Sequence, residues 1–307
     1  MIRRPQIALL PDGRRLHLQD GPIDLIVEAH GRAADIEIAY AAAAESLTGL
    51  LDRLCQELTQ LRRNAAASDF SLSGVVARRM FAAVKPYAEE HFITPMAAVA
   101  GAVAEEVLGA MTRAAKLERA YVNNGGDIAL HLESGQRFTV GLVDRPDHPS
   151  LVGKTIIECT SPVRGIATSG RHGRSFSLGI ADAVTVLART ASQADAAATI
   201  IANAVDLPGH PGIVRCPASD IQPDSDLGER LVTRDVTALS HADIATALQS
   251  GAACARDLLT RGLIEGAALF LQGRRMIVAL PNETLSINEN NKSAHVTAPQ
   301  LESLMHA

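Results

Sequence analysis

The chain of 307 residues contains no tryptophan, three tyrosines and six phenylalanines, and its 29 basic residues are outnumbered by 34 acidic ones, with no basic run. A protein that follows a phosphate backbone needs a cationic stripe, and one that grips single strands needs aromatic platforms. Neither is written here, so nucleic acid is not an expected partner. No apolar stretch approaches the roughly 20 residues of a membrane span, because charge interrupts even the Ala-rich segments. The start, Met1-Ile-Arg-Arg-Pro-Gln, has the charge of a signal peptide, but its apolar run Ile7 to Leu10 stops at Pro11-Asp12-Gly13, too short for a leader core. A cytoplasmic protein with no membrane association is expected. Cysteine is scarce as well. Cys55, Cys159, Cys216 and Cys254 form no CxxC pair and have no histidine at ligand spacing, which argues against a zinc site or a disulfide framework. They are expected to be small core residues in a reducing compartment.

Common catalytic signatures are missing too. Gly153-Lys154-Thr155 resembles the end of a P-loop, but the first glycine of that motif would fall at His148. Neither GxGxxG nor GxSxG occurs, and the ten histidines form no HExxH.

What is present is a hydrophobic fraction of 47%, enough for a large core without staples. Residues 6–29 alternate and break at Pro11-Asp12-Gly13 and Gly21-Pro22, predicting three antiparallel strands. Leucines at 47, 50, 51, 54, 58 and 61 predict a helix over 41–62. Further helices are predicted over 72–87, 94–113, 191–204 and 241–261, the third Ala- and Gly-rich enough to let another backbone or a flat ligand come close. Strands are predicted at 119–122, 128–132, 137–143, 155–159, 164–168 and 184–188, and a closing hairpin at 267–271 and 276–280. Prolines at 211, 217 and 223 predict a long ordered loop or lid over 210–235. The mixed order of strands and helices indicates an α+β (mixed α/β) chain, mostly antiparallel sheets packed with helices, as a single domain over 1–280 with a polar tail over 281–307.

Three segments could carry chemistry. The strand-to-loop run Gly165 to Ser177 gathers Thr168, Ser169, Gly170, Arg171, His172, Gly173 and Arg174. Glycines let backbone amides approach phosphate oxygens, hydroxyls donate to them, and guanidinium groups grip them bidentately; a polar surface hairpin is the plain alternative. Asn123-Asn124-Gly125-Gly126-Asp127 is by pattern a hairpin turn. In the 191–204 helix, Asp195, Thr199 and Asn203 recur at i,i+4. A carboxylate and a hydroxyl one turn apart suit a hard cation such as Mg2+, although Ser192 with Asp195 also has capping-box spacing.

In order along the chain, Asn124 to Asp127, Val140-Gly141, Ile166 to Gly170, Val184 to Val186 and Ala194 to Thr199 resemble the motifs of the ApbE family, the FAD:protein FMN transferases. The string Thr168 to Ser175 with Gly179-Ile180-Ala181-Asp182 is similar to a shorter ApbE-like subfamily over nearly the whole chain. The resemblance implies an ApbE-like fold of two intimately joined lobes, FAD or FMN as the flavin nucleotide and Mg2+ against its pyrophosphate. It implies that Thr168, Ser169 and Gly170 line the nucleotide site with Asn124, Gly125, Gly126 and Asp127, and that Asp195 and Thr199 hold the metal. Two family segments differ here. The Lys-Gly-x-x-x-Asp turn is Ala100-Gly101-Ala102-Val103-Ala104-Glu105, and the His-Ile-x-Asp-Pro loop is replaced by Ser177 to Asp182. The expectation is a flavin-nucleotide-linked, Mg2+-dependent transferase or hydrolase of a pyrophosphate or phosphoester that does not pass FMN to a protein hydroxyl. An enzyme with another small substrate, using Arg171, His172 and Arg174 as catalytic groups, or a non-catalytic binding or maturation protein, are the alternatives. The expected partner is a small phosphorylated ligand; a flavoprotein partner and a homodimer are left open.

Overall fold

The computed structural model describes residues 4–144, 151–279 and 285–286. It divides the chain into two compact units, crossing between them within β8 and α6, two elements defined below. The first unit comprises the described residues up to Gln136 together with Pro162–Ala167 and Ala188–Ala196; the second comprises Arg137–Ser161, Thr168–Leu187 and the described residues from Ala197 onward.

The first unit opens with β1 (Gln6–Leu9), β2 (Leu16–Asp20) and β3 (Ile23–His30), an antiparallel meander. Helices α1 (Ala33–Leu47), α2 (Leu50–Gln56), α3 (Leu58–Leu61), α4 (Val75–Val84) and α5 (Val99–Ala114) follow, then β4 (Arg119–Asn124) and β5 (Asp127–Leu132). β3 pairs with β4 and β4 with β5, all antiparallel, through registers such as Leu25 to Asn124 and Asn124 to Asp127. α5 lies against β4 and β5, and α1 against α5. Alternation explains the packing: Leu18, Leu25, Val27, Ala120, Val122 and Ala129 are buried, which is what a period of two on a covered sheet produces.

The predicted 41–62 helix is corrected. It begins earlier, at Ala33, and is cut at Thr48-Gly49, where Gly49 takes φ +69, a left-handed conformation that ends helices. Glu45 therefore sits in the last turn of α1.

In the second unit, β6 (Arg137–Val143) and β7 (Leu151–Glu158) pair antiparallel. β8 (Gly165–Ser169) starts in the first unit, where Ile166 faces Ile128 of β5, and its last two residues belong to the second. β9 (Ala183–Ala188) is buried along its whole length. It leads to α6 (Ala191–Ala204), whose first six residues belong to the first unit. The predicted loop or lid over 210–235 is corrected too. It contains β10 (Ile213–Pro217), the single turn α7 (Ala218–Ile221) and β11 (Leu231–Val236), with β10 and β11 paired antiparallel. Pro217 is tolerated because it ends β10 and enters α7, where no ladder donor is required. α8 (His241–Thr260) is capped by Ser240, whose Oγ accepts from the Asp243 amide at 3.1 Å. β12 (Gly266–Leu271) and β13 (Arg274–Ala279) close the described fold as a hairpin whose turn residues Gln272 and Gly273 have φ +43 and +74. A two-residue piece, β14 (Leu285–Ser286), pairs with β7; the rest of the polar tail lies outside the described residues. Thus the chain is α+β, with antiparallel sheets and helices packed against them.

None of the four thiols is a core residue. Cys55 is exposed and the others are half-buried, all unbridged; Cys55 falls on the outer side of α2, whose buried positions are Leu50 and Leu54. Among the described residues no helix is long and apolar enough to cross a membrane.

The tightest helix contact in the first unit is at Gly101, where a Cβ would lie 2.3 Å from the Ala191 carbonyl oxygen. Because the obstacle is backbone, Gly101→Ala is expected to destabilise the protein by about 2 kcal/mol or more. Gly135→Ala, at φ +79 with open space around it, should cost only about 1 kcal/mol. Urea denaturation of both variants measures the difference; equal losses would mean that α5 and α6 yield easily.

Candidate functional site

The close approach at Gly101 brings the start of α5 onto the first turn of α6, and polar groups at this junction are matched one by one. Asn124, the last residue of β4 and only 7% exposed, donates from Nδ2 to the Ala100 carbonyl at 3.1 Å. The other half of the same peptide group, the Gly101 N–H, donates to Asp195 Oδ2 at 3.0 Å. One turn further along α5, Glu105 Oε1 accepts from the Ser192 amide at 2.7 Å, while its Oε2 pairs with Arg79 Nε at 3.1 Å. Arg79 also reaches Glu106 at 3.1 Å and the Ala102 carbonyl at 3.0 Å. The capping-box alternative for Asp195 is thereby displaced. Thr190 Oγ1 accepts from the Gln193 amide at 3.3 Å and caps α6, the Ser192 amide is taken by Glu105, and Asp195 is directed across to α5.

Gly125 and Gly126 form the two-residue β4–β5 turn with φ +66 and +111, and the Gly126 amide is held by Asn123 Oδ1 at 2.8 Å. This is the hairpin its composition predicts, and it also has a chemical result: Asp127, the residue just after the turn, comes close enough to act on Asp195. Burial pushes the Asp195 carboxyl well above its ordinary value near 3.8, and the charge of Asp127 adds to the rise, outweighing the Gly101 and Ala100 amides, which favour the ionised form. Two carboxylates in a poorly solvated place repel each other unless a proton or a cation intervenes.

The second constellation lies within the second unit. Thr168 Oγ1 shares a hydrogen bond with Thr185 Oγ1 at 2.9 Å. Gly170 takes φ +152, and a Cβ there would meet the Asp182 carbonyl oxygen at 2.5 Å, so the turn requires glycine. Arg171 and His172, each with 17% of the side chain exposed, converge on Asp182, which is 7% exposed. Arg171 reaches Asp182 Oδ1 with Nη2 at 2.7 Å and Nε at 2.9 Å, and His172 Nε2 stands 3.3 Å from the same oxygen. The Gln272 amide donates to Asp182 Oδ2 at 2.5 Å, while Arg174 is exposed. In the sequence Glu105 stands at the position of the motif's acid and Asp182 ends the segment that replaces the His-Ile-x-Asp-Pro loop; their roles as partners of the Ser192 amide and of Arg171 come from tertiary contacts.

Of the expected site residues, Asn124, Gly125, Gly126, Asp127 and Asp195 fall in the first unit, and Thr168, Ser169, Gly170, Arg171, His172, Arg174 and Thr199 in the second. Asn124 and Asp195 are brought together on the Ala100–Gly101 peptide, with the charge of Asp127 acting on Asp195; Arg171 and His172 are brought together on Asp182. Thr199 is half-buried, one helical turn after Asp195 on α6. Among the described residues no group of three or more His, Cys, Asp or Glu side chains gathers as a metal cage.

A family model described as "AbpE bacteria" matches residues 7–277. Curated relatives include UPF0280 proteins of Methanopyrus kandleri, 41% identical over 42% of this chain and 48% of that protein, and of Archaeoglobus fulgidus, 43% identical over 37% of this chain and 45% of that protein. In these alignments the chain spans about half the length of the curated relatives it matches. Among solved structures, the flavinyl transferase ApbE of Pseudomonas stutzeri aligns over 91% of this chain and 96% of its own, with 11% identity and a TM-score of 0.48. The flavin transferase ApbE of Vibrio cholerae aligns over 90% of this chain and 96% of its own, with 12% identity and a TM-score of 0.36.

Two outcomes follow from the geometry. The folded-state pKa of Asp195 is raised, so the native state binds more protons than the unfolded chain between the ordinary carboxylate value and the raised one. Without divalent cations, stability should therefore decline as pH rises through that window, and Asp195→Asn should flatten the decline; denaturation midpoints in chelator from pH 4 upward, on the order of one unit apart, read this, and an unchanged slope in the variant would refute it. Asp182→Ala, which leaves Arg171 without its carboxylate, is expected to cost about 3 kcal/mol, against less than about 0.5 kcal/mol for Arg174→Ala, both by urea denaturation.

Proposed function

The chain belongs to the AbpE bacteria family, and on that premise we propose that it is an ApbE-like, flavin-nucleotide-linked and Mg2+-dependent enzyme that cleaves a pyrophosphate or phosphoester bond. The observation that carries this reading is Asp195, held by the Gly101 amide and raised in pKa by burial and by the charge of Asp127. Mg2+ takes oxygen ligands and is commonly held by one or two carboxylates together with substrate phosphates, without an all-protein cage. Two carboxylates with no larger cluster around them among the described residues fit that pattern. Asp195 and Asp127 would hold the ion, and when bound it would neutralise charge on the departing phosphate.

The remaining roles belong to the chain's own groups. Asn124 and the Gly125-Gly126 turn fix where Asp127 stands and hold the Ala100 carbonyl. The Gly101 amide orients Asp195 by donating to its Oδ2. Within the second unit, Thr168, Ser169 and Gly170 are proposed to contact a nucleotide, with Arg171, His172 and Arg174 as the groups that meet its phosphates. Asp182 positions the first two, which favours fixed geometry over mobile surface charge. For FAD the reaction would break the bridging P–O bond on the FMN phosphorus, form a new P–O bond to water and release AMP, giving FMN and AMP.

Transfer to a protein hydroxyl is not part of the proposal. Ala100 replaces the lysine of the resembling motif, and positions 97–104 around it are all Ala, Val or Gly. Glu105, at the position of the motif's acid, is engaged by the Ser192 amide and Arg79.

Incubation of the purified protein with FAD and Mg2+, followed by chromatography, should show FMN and AMP in equal amounts. Asp195→Asn should lower the rate on the order of 100-fold, as expected for the loss of several kcal/mol of charge stabilisation. Absence of products together with a different co-purifying metabolite by mass spectrometry would replace the flavin reading; fluorescence appearing covalently on an added acceptor domain would restore protein flavinylation.

A further inference from the structure

Among the described residues, strand β1 is paired on one side only, with β2. All four of its residues are exposed, and Ile7 and Leu9 keep 55% and 56% of their surface in water. The register nevertheless assigns these two to the core face of the sheet. Ile7 lies opposite Leu18 and Leu9 opposite Leu16; Leu18 and Leu16 lie opposite Leu25 and Val27, which lie opposite Asn124 and Val122. Residues directly opposite in a ladder share a face, and this is the face from which Asn124 reaches the Ala100 carbonyl of α5. Leu16, Leu18, Leu25 and Val27 are buried, so Ile7 and Leu9 continue the core one strand beyond its cover. Their backbone faces the open edge as well. Leu10 donates its amide to the Arg15 carbonyl at 2.8 Å. Antiparallel ladders alternate hydrogen-bonded and non-hydrogen-bonded pairs, so Gln6, Ala8 and Leu10 bond to β2 while the N–H and C=O groups of Ile7 and Leu9 point away from it.

We infer that β1 is the contact strand of a homodimer, in which two copies of this chain join edge to edge, antiparallel, about a two-fold axis at Ala8. The prolines select this register. Pro5 and Pro11 bracket the strand symmetrically about Ala8. Centred there, Ile7 of each copy pairs with Leu9 of the other through N–H···O=C bonds, and the prolines, which have no amide to donate, fall opposite each other. Centring on Ile7 would set Leu9 against Pro5, and centring on Leu9 would set Ile7 against Pro11, each with a donor missing. The Ala8 register also sets Arg4 of one copy across from Asp12 of the other, charges of opposite sign. An isologous contact requires this self-complementarity; an unrelated strand would not. Ile7 and Leu9 of the two copies then cover one another on the core face. Exposed edges are otherwise blunted by lysine, proline or a bulge, and Gln6–Leu9 carries none of these.

Sedimentation velocity of the full chain from about 10 to about 500 µM, a range suited to an interface under about 1,200 Å², should show monomer giving way to dimer. Ile7→Lys/Leu9→Lys, at two exposed positions, should raise the dissociation constant at least about tenfold with an unchanged circular dichroism spectrum. The register has its own measurement, which stands if the lysine variant folds poorly. Ala8 and its symmetry mate form a non-hydrogen-bonded pair about 4.5 Å apart at Cα, within disulfide reach. Ala8→Cys should therefore yield, under oxidised glutathione, a covalent dimer whose bond peptide mass spectrometry assigns to position 8 of both copies. Gln6→Cys, which this register sets opposite Leu10, should not. A monomer over the whole range, a dimer that the lysines leave intact, or equal cross-linking of the two cysteine variants overturns the inference. A dimer seen only after removal of residues 287–307 overturns it too, by assigning the edge to the chain's own tail.

Discussion

The peptide group between Ala100 and Gly101 is held at both ends. Its carbonyl accepts from Asn124 at the end of β4, and its amide donates to Asp195 in α6. Each contact is an ordinary hydrogen bond, worth on the order of 1 kcal/mol net, but leaving any of these poorly solvated groups unmatched would cost more than the bond contributes. The arrangement is possible because residue 101 is glycine. Any side chain would strike the Ala191 backbone, and without that approach the Asp195 carboxylate could not reach α5. Glu105 repeats the logic one turn later by holding the Ser192 amide. A strand end, the start of one helix and the first turn of another are thus tied through one peptide and one glycine.

That constraint also sets the electrostatics. Asp195 is directed into a poorly solvated place, and the tight Gly125-Gly126 turn delivers a second carboxylate beside it. A protein optimised for stability alone would avoid two carboxylates there. In the second unit the opposite solution appears: Arg171 and His172 meet a buried carboxylate, Asp182, and the charges compensate locally. The first arrangement sets two carboxyl groups near each other, and the second sets a guanidinium and an imidazole on one carboxylate.

Much of the architecture was legible in the residues. Ala191–Ala204 and Arg137–Val143 lie where periodicity put them, because a buried stripe or alternating face leaves a strong period in the sequence. The helix over 41–62 misled because its leucines keep helical spacing across Thr48-Gly49, although the helix is broken there by a left-handed glycine. The stretch over 210–235 misled for the converse reason. Its prolines suggest loop, but they stand at a strand end and in connections, where a missing amide donor does no harm.

For the candidate site, the residue types and their order were sufficient to single out Asn124 to Asp127, Thr168 to Arg174, Asp195 and Thr199, and to place the chain in its family. Local sequence spacing offered Asp195 a partner three residues away, Ser192. Tertiary structure chose one from a helix more than 90 positions earlier, Gly101, and gave the Ser192 amide to Glu105. Spacing reports which neighbours a side chain could reach along its own element; it is silent on which backbone another element brings within hydrogen-bonding distance. The sequence by itself determined the α+β class, the turn at Gly125-Gly126 and the chemical types available. Only the packing of α5 against α6 decided that Asp195 faces α5 with a raised pKa, and only the fold of the second unit decided that Asp182 gathers Arg171 and His172, because both depend on contacts between segments that no local period encodes.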